Sequence, residues 1–223
     1  MSSLPSATEI VLNWRIKEWF PSLSEKTHQQ LKVYHSELLK FNKVVNLISS
    51  KTVPHADAIH FADSLLAAEQ VRKKAIQFEP LYDLGSGNGF PGLVYSILYP
   101  DQNVILVDID ERKCEFLKHA VSVLGLLNAQ VLTKKIELFG PGSIVQAVCR
   151  GYAPLPRALL TLRKIVKVGG QIFHLKADEW SMEVSQIPTQ LCSAWQPTLE
   201  AEYRQPIGEI KLYVVRTERI GGV

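Results

Sequence analysis

The residues best suited to chemistry sit in one stretch, Leu-Tyr-Asp-Leu-Gly-Ser-Gly-Asn-Gly-Phe-Pro-Gly at 81–92. Gly85, Gly87 and Gly89 follow an apolar run of strand length and precede a helical one. Glycines at such a junction tolerate positive φ and let a ligand approach the backbone closely. Asp108 lies 23 residues after Gly85, at the end of the next apolar run. A carboxylate there can accept both hydroxyls of a ribose, each hydrogen bond contributing about 1.5–3 kcal/mol. A tight turn without a ligand would account for the glycines but not for the acid. Together they point to a nucleoside-bearing cofactor.

Dinucleotide loops place a third small residue where this chain has Phe90. The Gly-x-Gly-x-Gly spacing, with Asp83 two residues ahead, is the one S-adenosylmethionine enzymes use. That ligand carries no phosphate, so the loop would wrap a sulfonium amino acid and Asp83 could bind its ammonium group. Phe90 and Tyr152 are candidates to stack on a purine. After the expected fourth strand the chain reads Cys149-Arg150-Gly151-Tyr152-Ala153-Pro154, with no Asn/Asp-Pro-Pro-Tyr segment of the amino-group methylases. The planar fork of Arg150 suits the O6/N7 side of a guanine or a phosphate, which makes it the candidate catalytic residue. Cys149 beside Arg150 admits a covalent reading if its thiol pKa is lowered, and a packing role otherwise.

These residues need elements to hold them. Up to about residue 78 the chain reads as helices. Ser22 to Glu25 has the form of a capping box, and Leu31, Tyr34, Leu38, Phe41 and Val45 make a helical stripe. A second helix is expected over 56–75, with Ile59, Ala62, Leu65 and Leu66 inward. From residue 80 strands and helices alternate. Strands are expected at 81–84, 103–107 ending in Asp108, 129–133, 144–149 and 171–176, with helices at 92–99, 111–124 and 155–167. A helix at 179–194 and two strands, 199–205 and 210–216, complete the chain. Such alternation predicts a parallel sheet covered by helices on both faces. The expected domains are a helical extension, 1–78, and an α/β unit, 79–223.

The chain of 223 residues is 46% hydrophobic and 21% charged, which excludes a disordered protein. Three cysteines, an odd number and never two residues apart, exclude a disulfide framework and a cysteine zinc site of ordinary spacing. The six histidines show no metal-ligand spacing, so no metal is expected. Glu9, Arg15, Lys17 and Glu18 argue against a secretory signal, and no apolar run is long enough to span a bilayer. A soluble, cytoplasmic protein is expected, and a monomer. Its net charge of +3 is unevenly spread. Residues 134–176 hold eight cations (Lys134, Lys135, Arg150, Arg157, Arg163, Lys164, Lys167, Lys176) against one acid, Glu137. That run predicts a polyanion partner, with Lys134, Lys135, Arg157 and Lys176 as candidate RNA contacts.

The motif residues resemble the RsmG (GidB) family, which makes N7-methylguanine in bacterial 16S ribosomal RNA. The most specific piece is 83–92, with its Phe-Pro-Gly ending. Phe41-Asn42-Lys43 with Asn46-Leu47 is similar to the family's Trp-Asn-Lys…Asn-Leu-Thr, and His60 with Asp63-Ser64-Leu65 to its Arg-His…Asp-Ser-Leu. Val107-Asp108 followed by Arg112-Lys113, Cys149-Arg150 and Lys176 resemble further family stretches. The chain departs from the family at Phe41, Ile59, Lys135 and Ala177. The resemblance implies a class I S-adenosylmethionine-dependent methyltransferase, Rossmann-like, with a mostly parallel seven-stranded sheet whose last strand is antiparallel. It implies Asp83, Gly85, Gly87, Gly89, Phe90, Asp108, Ile136, Glu137 and Arg150 at the cofactor, and the small ribosomal subunit as partner. Rival readings are a methyltransferase with another RNA, protein or small-molecule substrate, an NAD-dependent oxidoreductase, and a silent RNA-binding protein on this scaffold.

Overall fold

The computed structural model describes residues 12–221, so Glu9 of the leader argument lies outside the described residues. The chain opens with α1 (Ile16–Trp19) and α2 (Glu25–Asn42). Ser24, not Ser22, starts α2. Its side chain accepts the N–H of Thr27 at 3.1 Å, the bond an N-cap serine makes to the third helical residue. The Ser22–Glu25 capping box therefore lies too early by two residues. The buried stripe of α2 is His28, Leu31, Tyr34, His35 and Leu38. Beyond it, Asn42 Oδ1 accepts the N–H groups of Leu47 and Ile48 at 2.8 and 2.9 Å, folding the next segment back.

The expected single helix over 56–75 is two pieces. Asp57–Ala62 is wound as a wide π-turn, and α3 (Asp63–Arg72) continues from it. Arg15 clamps the turn, its Nε and Nη2 donating to the buried Asp57 carboxylate at 2.9 and 3.0 Å. π-Turns inside helices concentrate at functional sites, and this one carries His60.

Seven strands follow: β1 (Leu81–Leu84), β2 (Val104–Asp108), β3 (Ala129–Thr133), β4 (Ile144–Arg150), β5 (Val166–Lys176), β6 (Trp195–Arg204) and β7 (Lys211–Arg219). Their order is β3-β2-β1-β4-β5-β7-β6. β1 to β5 run parallel, and β7 lies antiparallel between β5 and β6. Successive side chains of a strand point to opposite faces. Val104, Leu106 and Val148 join the buried cluster that also holds Leu31, Tyr34 and Leu65 of the helical layer. Val107, Ala147 and Cys149 face the other side. The first face is covered by α4 (Gly92–Leu98), α5 (Glu111–Val123) and the α2–α3 layer, the second by α6 (Leu155–Leu162).

Two expected helices are shorter than the sequence suggests. α6 ends at Leu162, and Gly169-Gly170 do not terminate it but lie inside β5. There Ile144 and Gln146 of β4 pair with Val166 and Gln171, so residues 167–170 bulge from the ladder. The helix expected at 179–194 is broken at Pro188 into α7 (Trp180–Ser185) and α8 (Thr189–Cys192). Among the described residues no helix is long and apolar enough to cross a membrane.

Candidate active site

Because β1 to β4 are parallel, the residues that follow each strand gather at one sheet edge. They surround a cavity of about 570 Å³, within the usual range for small-ligand sites. Its lining is Gly85, Val107, Asp108, Ile109, Lys134, Lys135, Ile136, Glu137 and Tyr152. Asp108 Oδ2 accepts the Gly87 N–H at 2.7 Å and Oδ1 accepts the Asp110 N–H at 2.9 Å. A carboxylate oxygen has two lone pairs, so each keeps one for a ribose hydroxyl. Gly85 has φ +72°, and a Cβ there would stand 3.3 Å from the Tyr152 ring, filling the gap between loop and ring. Gly89 is small for another reason. A Cβ at Gly89 would run into the Leu93 side chain of α4 and meet the Tyr34 hydroxyl at 2.7 Å, so its place is set by packing against α4 and α2. That hydroxyl donates to Asn88 O at 2.6 Å, and Asn88 Nδ2 donates to Leu47 O at 3.1 Å, tying the helical layer to the loop.

Five expected cofactor residues, Asp83, Gly87, Gly89, Phe90 and Arg150, are not on the cavity wall. Asp83 is 1% exposed beneath the loop, where its Oδ2 accepts the Ser86 hydroxyl at 2.7 Å and the Gly92 N–H at 3.0 Å. Its Oδ1 has no hydrogen-bond partner. Burial pushes the carboxyl pKa up to about 6, against the opposing pull of those bonds and of the Arg150 charge. Phe90 is 2% exposed and stacks on Tyr34 and His60 at centroid distances of 4.9 and 5.4 Å. Its ring is committed to the core and does not face the cavity as a purine platform. The Phe-Pro-Gly ending thus has a structural account, since a Cβ at Gly92 would stand 2.5 Å from Asp83 Oδ2.

Arg150 closes the neighbouring corner. Nη1 donates to Asp63 Oδ2 at 2.9 Å, Nη2 donates to His60 Nδ1 at 3.3 Å, and the guanidinium lies 5.2 Å above the Phe90 ring. Tyr203 of β6 donates its hydroxyl to the other Asp63 oxygen at 2.7 Å. An arginine only donates, so His60 accepts at Nδ1, and its proton sits on Nε2, facing Thr52 at 3.3 Å. Burial and the Arg150 charge lower the His60 pKa to about 3, so the ring is neutral. The covalent reading of Cys149 fails on burial. The thiol is pushed up to about 12, and Sγ lies 3.3 Å from Nδ1 of the neutral, buried His174.

The basic run does not form one surface. Lys134 and Lys135 line the cavity, Lys134 above the Phe139 ring at 4.5 Å, and Arg157 is exposed in the first turn of α6. Lys176 is turned inward, donating to Ala153 O at 3.0 Å and Glu183 Oε2 at 2.7 Å, so it is not an available RNA contact. Ile109, an apolar cavity residue directly after Asp108, was missed for want of a local pattern, and Tyr203 because its meeting with Asp63 spans 140 residues.

A family model described as rRNA small subunit methyltransferase G (GidB) matches residues 27–200. The chain is 50% identical over 210 residues to ribosomal RNA small subunit methyltransferase G 3 of Bdellovibrio bacteriovorus, covering 94% of this chain and 95% of the relative. It is 35% identical over 165 residues to ribosomal RNA small subunit methyltransferase G of Paracoccus denitrificans, covering 74% and 83%. Among solved structures, an S-adenosylmethionine-dependent methyltransferase from Aquifex aeolicus shares the fold at TM-score 0.52 and 15% identity, over 81% of this chain and 97% of that one. The ribosomal protein L11 methylase of Lactobacillus delbrueckii shares it at 0.51 and 14%, over 70% and 77%. With the fold, the loop and its acid agreeing with so extended a match, the chain belongs to the rRNA small subunit methyltransferase G (GidB) family.

Proposed function

We propose that the protein transfers the methyl group of S-adenosylmethionine to N7 of a guanine in the 16S ribosomal RNA of the small subunit, acting as a monomer in the cytoplasm. The observation that carries the cofactor half is the cavity in which the glycine loop and Asp108 meet. Its residues fit the group: Asp108 offers two unspent lone pairs to the ribose, Ile109 and Ile136 give apolar flanks to a purine, and Gly85 leaves the backbone approachable. Bound there, S-adenosylmethionine supplies an electrophilic methyl on a sulfonium.

Guanine N7 has a free lone pair and no proton, so the chain must align rather than deprotonate. The site agrees. His60 spends Nδ1 on Arg150, and Cys149 and His174 are buried away from a thiolate or imidazolium state. Arg150, fixed by Asp63, is the cation placed to orient a guanine edge or its phosphate. Lys134, Lys135 and Arg157 supply positive charge around the cavity mouth.

A calorimetric titration with S-adenosylmethionine, followed by tritiated methyl transfer to small subunits lacking the modification, tests both halves. Binding with label at guanine N7 is expected. Asp108→Ala should weaken cofactor binding about tenfold or more, by loss of charged hydrogen bonds. Unchanged affinity in a folded variant would remove Asp108 from the site, and binding without label would discard the substrate.

A further inference from the structure

Lys176 and Glu183 meet where the sequence gives no reason to connect them. The Lys176 ammonium donates to Ala153 O and to Glu183 Oε2, and that same Oε2 accepts the N–H of Leu155 at 2.6 Å. Leu155 opens α6, which follows Pro154 and has no side-chain cap of its own. The start of a helix leaves N–H groups without partners. Here one is satisfied by a carboxylate delivered from α7. The pair is well shielded, its side chains 14% and 21% exposed, and two backbone groups fix its geometry. α7 is itself anchored. Trp180 and Val184 pack on Leu155, Tyr213 and Val215, and the Tyr213 hydroxyl donates to Asp178 Oδ1 at 2.9 Å.

The two tethered backbone groups, Ala153 O and Leu155 N, lie one and three residues after Tyr152, whose ring closes the cavity against Gly85. We propose that Glu183 is a positioning residue of the cofactor site: through Lys176, Ala153 and Leu155 it fixes the loop 151–154 and so holds Tyr152 as the cavity wall facing Gly85. This rests on the methyl-transfer reading, since the wall matters only if the cofactor enters the cavity. It also gives Lys176 a task inside the protein in place of RNA binding.

The test compares wild type, Glu183→Ala, Glu183→Gln, Lys176→Met and the double variant Glu183→Ala/Lys176→Met. Each is titrated with S-adenosylmethionine, and binding to a 16S RNA fragment is followed against salt. Glu183→Ala and Lys176→Met should each weaken cofactor binding about tenfold. The double variant should lose no more than the worse single one, because the two act as a unit. Glu183→Gln keeps an oxygen for the Leu155 N–H and should lose only about threefold, which also serves if the alanine variant does not fold. RNA affinity and its salt slope should not move. Cofactor affinity equal to wild type in a folded Glu183→Ala or Glu183→Gln overturns the proposal. So does a log–log salt slope reduced by about one in Lys176→Met, the mark of a lost phosphate contact. Failure of the wild type to bind cofactor overturns the methyl-transfer reading and this proposal together.

Discussion

A carboxylate buried under a glycine loop is unfavourable unless something answers its charge, and Asp83 has one oxygen bonded and one without a partner. Its folded pKa of about 6 lies above the ordinary 3.8, so the folded chain keeps the proton to higher pH than the unfolded chain does. The stability this contributes is fully present below the unfolded value and is lost as pH rises through about 6. Two units correspond to about 3 kcal/mol. Asp83→Asn removes that loss. In urea titrations of cofactor-free protein, the variant should gain up to about 3 kcal/mol relative to wild type on going from pH 4 to pH 8. A relative stability that does not change with pH would show that Asp83 does not titrate as argued. If the free oxygen receives the cofactor's ammonium, the same variant also binds S-adenosylmethionine less well. The places of Gly85 and Asp108 at the cavity were legible in the sequence because loop and strand end are local features. The inward position of Asp83 and Phe90 was not, since a motif specifies a chemical type and leaves the direction of the side chain to packing.

At the scale of elements, the corner beside the cavity is a joint between α3, β4 and β6, made by Asp63, Arg150 and Tyr203. The Asp63 and Arg150 side chains are 7% and 19% exposed, so removing one partner strands the other's charge. Asp63→Ala should cost about 3–5 kcal/mol of stability, the usual result of breaking a buried pair. Tyr203→Phe, which removes a single hydrogen bond to a charged group, should cost about 1.5–3 kcal/mol. Methyl transfer should fall in both, and more in the first. Equal denaturation midpoints in Asp63→Ala and wild type would mean that Arg150 is held by other groups. Where periodicity and caps agreed, as in β1 to β3 and α5, elements were readable from the sequence almost to the residue. They failed where tertiary pairing overrides local preference. Val166 pairs with Ile144 and draws the segment after α6 into the sheet, turning a glycine pair that reads as a helix stop into a bulge. Arg15 on Asp57 similarly accompanies a π-turn that no spacing announces.

Across the whole molecule, the strongest compositional signal, the run of cations from 134 to 176, is divided by the fold. α6 carries the chain from the cavity edge of the sheet back to the opposite edge, where Lys164 O accepts from Gly142 N and β5 begins. Lys164 and Lys167 therefore lie about 20 Å from the cavity, the length of a seven-residue strand at roughly 3.3 Å per residue. Lys176 is spent on Glu183, and Arg150 is held by Asp63 at the corner beside the cavity. Lys134, Lys135 and Arg157 remain on the cavity side. Each phosphate contact steepens the fall of log affinity with log salt by about 0.7 to 0.9. Lys134→Gln/Lys135→Gln should therefore reduce the slope by about 1.5, with a parallel loss of RNA affinity at low salt. Lys164→Gln/Lys167→Gln, with the same change in net charge, should leave the slope unchanged. If both pairs shift it equally, RNA responds to net charge and not to the cavity face, and the assignment of Lys134 and Lys135 to the RNA falls.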